Sequence, residues 1–145
     1  KHYIKFYPKK KLSHIHGDLT FDNIIFNKKR IIVIDWEFFK ASKSLYGYDL
    51  VYLFLSAACL PYLNFRQFSK QDEIIFKKLW KLLINSKISD ELTNRPFNYF
   101  SKKIKSDFIL KKSFRLSKRK FFPFITSNTH KIKIMKLINE IKHEN

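Results

Sequence analysis

The stretch SHIHGDLTFDN, residues 13–23, holds two histidines, two aspartates, an asparagine and one of the chain's two glycines. Two chemistries suit such a set. His14-x-His16-x-Asp18 alternates like a metal-ligand cluster, because His-x-His on a strand puts both imidazoles on one face. His16-Gly17-Asp18 followed by Asn23 is spaced like the catalytic loop of a phosphotransferase. That reaction needs a carboxylate beside the attacking hydroxyl, to orient it and take its proton. It also needs hard oxygen donors for magnesium, which bridges the nucleotide phosphates. Asp18 suits the first task, and Asn23 can offer a side-chain carbonyl for the second. Asp35 lies further on, at the end of the apolar run Ile31–Ile34.

The imidazole reading is the weaker. Zinc takes three or four ligands from a fixed scaffold. The other histidines, His2, His130 and His143, lie towards the ends of the chain in basic surroundings, without a second ligand at useful spacing. The oxygen set depends on the elements around it. Leu12 to His16 reads as a short strand entering the loop. Asn23–Phe26 and Ile31–Ile34 are β-branched, apolar runs around the polar turn Asn27–Arg30, which is a hairpin pattern. Such a hairpin returns the chain so that Asp35 lies near Asn23. Neither run alternates cleanly, so both faces of the hairpin are expected to be covered. The order Asp, Asn, hairpin, Asp is far more specific than any one residue in it.

HGDLTFDNIIF followed by IIVIDWE resembles the aminoglycoside phosphotransferase and choline kinase family, which shares the protein-kinase-like fold. The resemblance implies that Asp18 is the catalytic aspartate, that Asn23 and Asp35 are magnesium ligands, and that His16 braces the catalytic loop. YGYDLVYL is similar to the family's next segment, where an aspartate, here Asp49, starts a helix and accepts hydrogen bonds from backbone amides of the catalytic loop. The implied cofactor is Mg2+ with ATP as co-substrate. The implied acceptor is a hydroxyl on a small molecule: an aminoglycoside, an amino alcohol or a sugar. The match spans about residues 13–55; beyond it the likeness is only in being helical. Gly17 stands where protein kinases usually carry arginine, and Trp36-Glu37 replaces their Phe-Gly, both in keeping with a small-molecule kinase. Glu37 could support the metal site or a cationic substrate, but pairing with a nearby lysine is the favoured role. Asp22 is expected at a turn or surface, Trp36 and Phe38 in packing, and His14 in a structural or solvent-facing position.

The rest of the chain reads as helices. Asp49 precedes a helix to about Ala58. Ser69-x-x-Asp72 resembles a capping box, and Ile75, Leu79, Leu82 and Leu83 repeat at helical spacing to about Asn85. Residues 89–96 read as a connection, and 97–124 as one or two helices and a loop. Ile134, Leu137, Ile138 and Ile141 mark a C-terminal helix. The expected fold class is α+β in a single domain, residues 1–145: a kinase-like C-terminal lobe, mostly helical, with a small hairpin at the catalytic loop. Its nucleotide-binding N-terminal lobe is expected to be missing, because no glycine-rich loop precedes residue 13 and the chain opens on Lys1. The 145 residues are then a fragment, inactive alone.

Hydrophobic residues make up 45% of the chain and aromatics 17%, enough for a core. The net charge is +18. Lysines spread along the chain account for most of it, as AT-rich coding would produce, although anionic ligands should still be attracted. The one cysteine, Cys59, allows no intrachain disulfide, which suggests a cytoplasmic protein. Leu50–Leu63 is too short to cross a membrane. Two other functions compete with the kinase reading. Residues 98–124 interleave Phe100, Phe108, Phe114, Phe121 and Phe122 with lysine and arginine, a chemistry for single-stranded nucleic acid, although a basic surface over a phenylalanine-rich core is the favoured account. An inactive kinase remnant is the other.

Overall fold

In the computed structural model, residues 13–28, 30–39, 43–63, 66–86, 88–106 and 127–144 are described. The fold is mixed α+β and mostly helical. Strand β1 (Ser13–His14) leads through the loop to a single 3-10 turn (Phe21–Asn23), then β2 (Ile24–Asn27), β3 (Arg30–Val33) and β4 (Lys43–Ser44). The helices are α1 (Tyr48–Leu63), α2 (Lys70–Asn85), α3 (Asp90–Asn94), α4 (Pro96–Ser106) and α5 (Asn128–His143). Two antiparallel pairs form, β1 with β4 and β2 with β3. Ile24 faces Val33 and Asn27 faces Arg30, so the expected hairpin is present.

The covering expected for that hairpin is absent among the described residues. Ile25, Phe26, Ile31 and Ile32 are 47%, 65%, 69% and 44% exposed. Ile24 and Val33 are only half-buried. Lack of alternation therefore marks strands apolar on both faces, not strands packed on both. A two-stranded ribbon by itself is marginally stable in water. Here it is tied at its base, where the Ile34 amide donates to the Asn23 carbonyl at 3.0 Å.

The helices close around one apolar core. Val51, Tyr52, Leu55 and Cys59 of α1 meet Phe76, Trp80 and Leu83 of α2, and Ile134, Leu137, Ile138 and Ile141 of α5. The helical spacing on α2 is real, but its core face is Phe76-Trp80-Leu83; Ile75 and Leu82 are 47% and 55% exposed. Helix α1 begins at Tyr48, one residue before Asp49, and runs past Pro61 to Leu63. Residues 89–96 are not a plain connection. Leu92 and Thr93 are buried in α3, whose five residues are too few to show a period. Pro96 opens α4, a position where its missing N–H costs nothing. The remainder of the 97–124 segment beyond Ser106 lies outside the described residues. No described helix is long and apolar enough to cross a membrane.

Both long amphipathic helices have built caps. Ser127 Oγ accepts from the His130 amide at the start of α5. At α2 the capping box is complete: the Asp72 amide donates to Ser69 Oγ at 3.1 Å and the Ser69 amide donates to Asp72 Oδ2 at 2.8 Å. The Ser69 hydroxyl and the Arg66 guanidinium also donate to Asp72, and together they hold its carboxyl down to about 2. A depressed carboxyl stabilises the fold above its unfolded value, near 4, and loses that contribution as pH falls through its folded value. Asp72→Ala should therefore lower the melting temperature at pH 7 and lose most of that difference by about pH 2. Thermal unfolding of both proteins across that window checks it; a constant difference would contradict the cap's role.

Candidate active site: a buried aspartate held from two elements

The loop between β1 and the 3-10 turn carries Asp18, which is 2% exposed. Two elements, the 3-10 turn and α1, hold it and its loop. From the 3-10 turn, Asn23 Nδ2 donates to the Asp18 carbonyl at 2.7 Å. From α1, the Tyr52 hydroxyl donates to Asp18 Oδ1 at 3.1 Å. Also from α1, Asp49 accepts the His16 amide at 3.0 Å and the Gly17 amide at 3.1 Å, one on each carboxylate oxygen. Burial pushes the Asp49 carboxyl up, against the two amide hydrogen bonds that pull it down. Asp49 and Tyr52 stand three residues apart and so share a face of the helix.

His16 is buried, and its Nε2–H donates to the Ile34 carbonyl at 2.8 Å. A carbonyl can only accept, so Nε2 carries the proton. The imidazole thus ties the loop to the strand that leads to Asp35. Its ring lies against Trp36, with centroids 4.8 Å apart. Trp36 itself donates its indole N–H to the Val33 carbonyl at 2.8 Å and packs edge-on against Phe39. Trp36 remains half exposed, whereas Phe38 is buried as packing.

Gly17 has a physical reason to be glycine. Its φ is +90°, and a Cβ there would lie 2.7 Å from Phe38 Cβ. Any side chain, arginine included, would meet both a strained backbone and a fixed neighbour.

Asp35 is exposed at the end of the hairpin, with φ +60°. A non-glycine residue in that region costs about 1 kcal/mol, a cost that aspartate bears better than most. The hairpin's basal hydrogen bond sets Ile34 against Asn23 and so brings the chain to Asp35 beside the asparagine. The donor chemistry of Asn23 and Asp35 fits magnesium, which prefers a few hard oxygens and completes its shell with phosphates and water. Asn23's amide nitrogen is committed to Asp18, which fixes the orientation of its amide.

The remaining sequence candidates are not drawn into this cluster. Glu37 is exposed and forms no ion pair among the described residues. Asp22 is exposed in the 3-10 turn. His14 is exposed and stacks loosely on Phe39. His130 Nε2 donates to the Ala58 carbonyl, so it is a buried strut between α5 and α1. Among the described residues no group of three or more His, Cys, Asp or Glu could hold a metal ion, which leaves the imidazole cluster without support. Phe100 is wholly buried in the core and is unavailable to stack on a base. Phe108, Phe114, Phe121 and Phe122 lie outside the described residues. A groove of about 760 Å³ between the start of α4 and α5, lined by Arg95, Phe97, Lys131 and Met135, shares no residue with the Asp18 cluster. Sequence reasoning passed over Tyr52; the Asp49-x-x-Tyr52 spacing on one helix face was the available signal.

Asp49→Asn should loosen the loop more than the helical core. Asparagine keeps one acceptor oxygen for two amides but removes a buried charge. The unfolding free energy should fall by about 1–3 kcal/mol, the cost of one buried donor left unmatched, while hydrogen exchange at the Gly17 and His16 amides speeds up more than at core amides of α2. Unchanged protection of both amides would contradict the anchoring role. Comparison with protein-family models, curated proteins and solved structures found no match for this chain.

Proposed function

We propose that this chain is the catalytic and acceptor-binding C-terminal lobe of an ATP-dependent small-molecule kinase, transferring the γ-phosphate to a hydroxyl of a sugar, aminoglycoside or amino alcohol. The observation that carries the reading is the Asp18 cluster: a buried aspartate whose carboxylate accepts from Tyr52 and whose main-chain carbonyl accepts from Asn23 five residues on, in a loop anchored by Asp49 and tied through His16 to Ile34, the residue before Asp35. A structural contact does not require a carboxylate aimed by a buried donor on a pinned loop. A general base does, because its oxygen must meet a particular hydroxyl.

In this reading the acceptor hydroxyl oxygen attacks the γ-phosphorus as the bond to the bridging β-γ oxygen breaks. ADP leaves, and the hydroxyl proton passes to Asp18. Asn23 and Asp35 would hold magnesium, which when bound neutralises charge on the phosphates. The remaining work is positional. Asp49 keeps the loop against α1, and His16 keeps the loop in register with the hairpin.

The nucleotide's phosphates need a covering glycine-rich loop, and the sequence offers none, its two glycines being Gly17 and Gly47. The exposed apolar hairpin beside the site, together with Phe21 at 45% exposure, is suited to packing against a second lobe. A parent protein with both lobes is therefore the form expected to turn over substrate.

The 145-residue chain with Mg-ATP and a panel of hydroxyl acceptors should show little or no ADP formation. In a two-lobed parent, Asp18→Asn should lower kcat by about 10²–10⁴ with the fold retained. Robust turnover by the isolated chain would overturn the two-lobe part of the proposal. Undiminished turnover by the Asp18→Asn parent would overturn the assignment of the base.

A further inference from the structure

The Tyr52 hydroxyl reaches the carboxylate of Asp18 from the helix that also anchors the loop. Its ring is 1% exposed and held on two sides. Tyr48 stacks on it at 6.0 Å and 12°, and Phe100 of α4 meets it edge-on at 5.6 Å. Tyr48 and Phe100 also pack on each other at 4.9 Å. A phenol so clamped has one position for its oxygen. A tyrosine needed only to fill that volume would be replaceable by phenylalanine, and its buried O–H would need no anionic partner. Burial and then the charge of Asp18 push the phenol well above its usual value, so the group stays a donor throughout the working pH range.

From this geometry we infer that Tyr52 is a positioning residue for the proposed phosphoryl transfer, fixing the rotamer of Asp18 by donating to Oδ1 and so aiming the carboxylate at the acceptor hydroxyl. The inference rests on Asp18 being the base. It acts through Asp18 alone and makes no contact with substrate. Removing the hydroxyl should then reduce the rate of the chemical step and leave binding intact. The aromatic clamp gives the effect a structural origin in the helical half of the molecule. Tyr99 of α4 shares a hydrogen bond of 2.6 Å with Ser44, so α4 is itself fastened to β4 near the loop.

The test is Tyr52→Phe in the two-lobed parent, beside Asp18→Asn. Loss of a buried hydrogen bond to a charged group predicts a fall in kcat of about tenfold to a hundredfold, with KM for nucleotide and acceptor within about twofold. A kcat within twofold of the wild type, or a loss confined to KM, overturns the role of Tyr52. Undiminished turnover in Asp18→Asn instead overturns the underlying reading. A second measurement needs no turnover: the 13Cζ resonance of Tyr52 in the 145-residue chain should shift at neutral pH when Asp18 becomes Asn. An unmoved resonance would mean that the contact does not form.

Discussion

Two backbone amides, those of His16 and Gly17, converge on one carboxylate at the start of α1, and the geometry of the site follows from that junction. Asp49 lies in the first turn of its helix, where a negative charge meets the positive end of the macrodipole. It answers both amides at once because they are consecutive in the chain and Gly17 has the positive φ that turns them to the same side. Hydrogen bonds to a charged acceptor are each worth about 1.5–3 kcal/mol, set against the desolvation that raises this carboxyl. Beside the junction, the Tyr52 hydroxyl gives the loop a second tie to the same helix.

The polar groups inside this fold act mostly as donors to backbone. His16 and His130 solve the same problem in two places. Each uses Nε2–H to satisfy a distant carbonyl, Ile34 in one case and Ala58 in the other. Imidazole suits the task because it reaches further than serine and carries no obligatory charge. The pair of histidines in the loop suggested metal chemistry by spacing alone, but one is exposed and the other is a strut.

Much of the site was legible because its residues act locally. Asp18, Asn23 and the hairpin fall within one short segment, so spacing carries the geometry. The capping box at Ser69 was legible for the same reason. Failures came where the answer depends on distant partners. The hairpin's apolar residues call for exclusion from water, but do not say whether the cover lies within these residues. Ile75 and Leu82 fit a helical period as well as Phe76 and Trp80 do; which stripe faces inward is decided by α1 and α5. Leu92 nucleates no periodic pattern, yet its complete burial makes a one-turn helix of a stretch that reads as a linker. Tyr52 reads as one more aromatic in an apolar helix; its spacing from Asp49 is a faint signal, and only the fold shows what lies above its hydroxyl.

The two tryptophans of the chain have opposite surroundings. Trp80 is fully enclosed and stacked on Phe76 at 5.1 Å, in the contact between α1, α2 and α5. Trp36 is 49% exposed and touches His16 at the edge of the loop. A water-borne quencher such as iodide reaches the second and not the first. The molecule therefore carries two separable fluorescent reporters, one inside the helical core and one at the Asp18 loop, and loosening of the loop can be followed by light while the core stays shut.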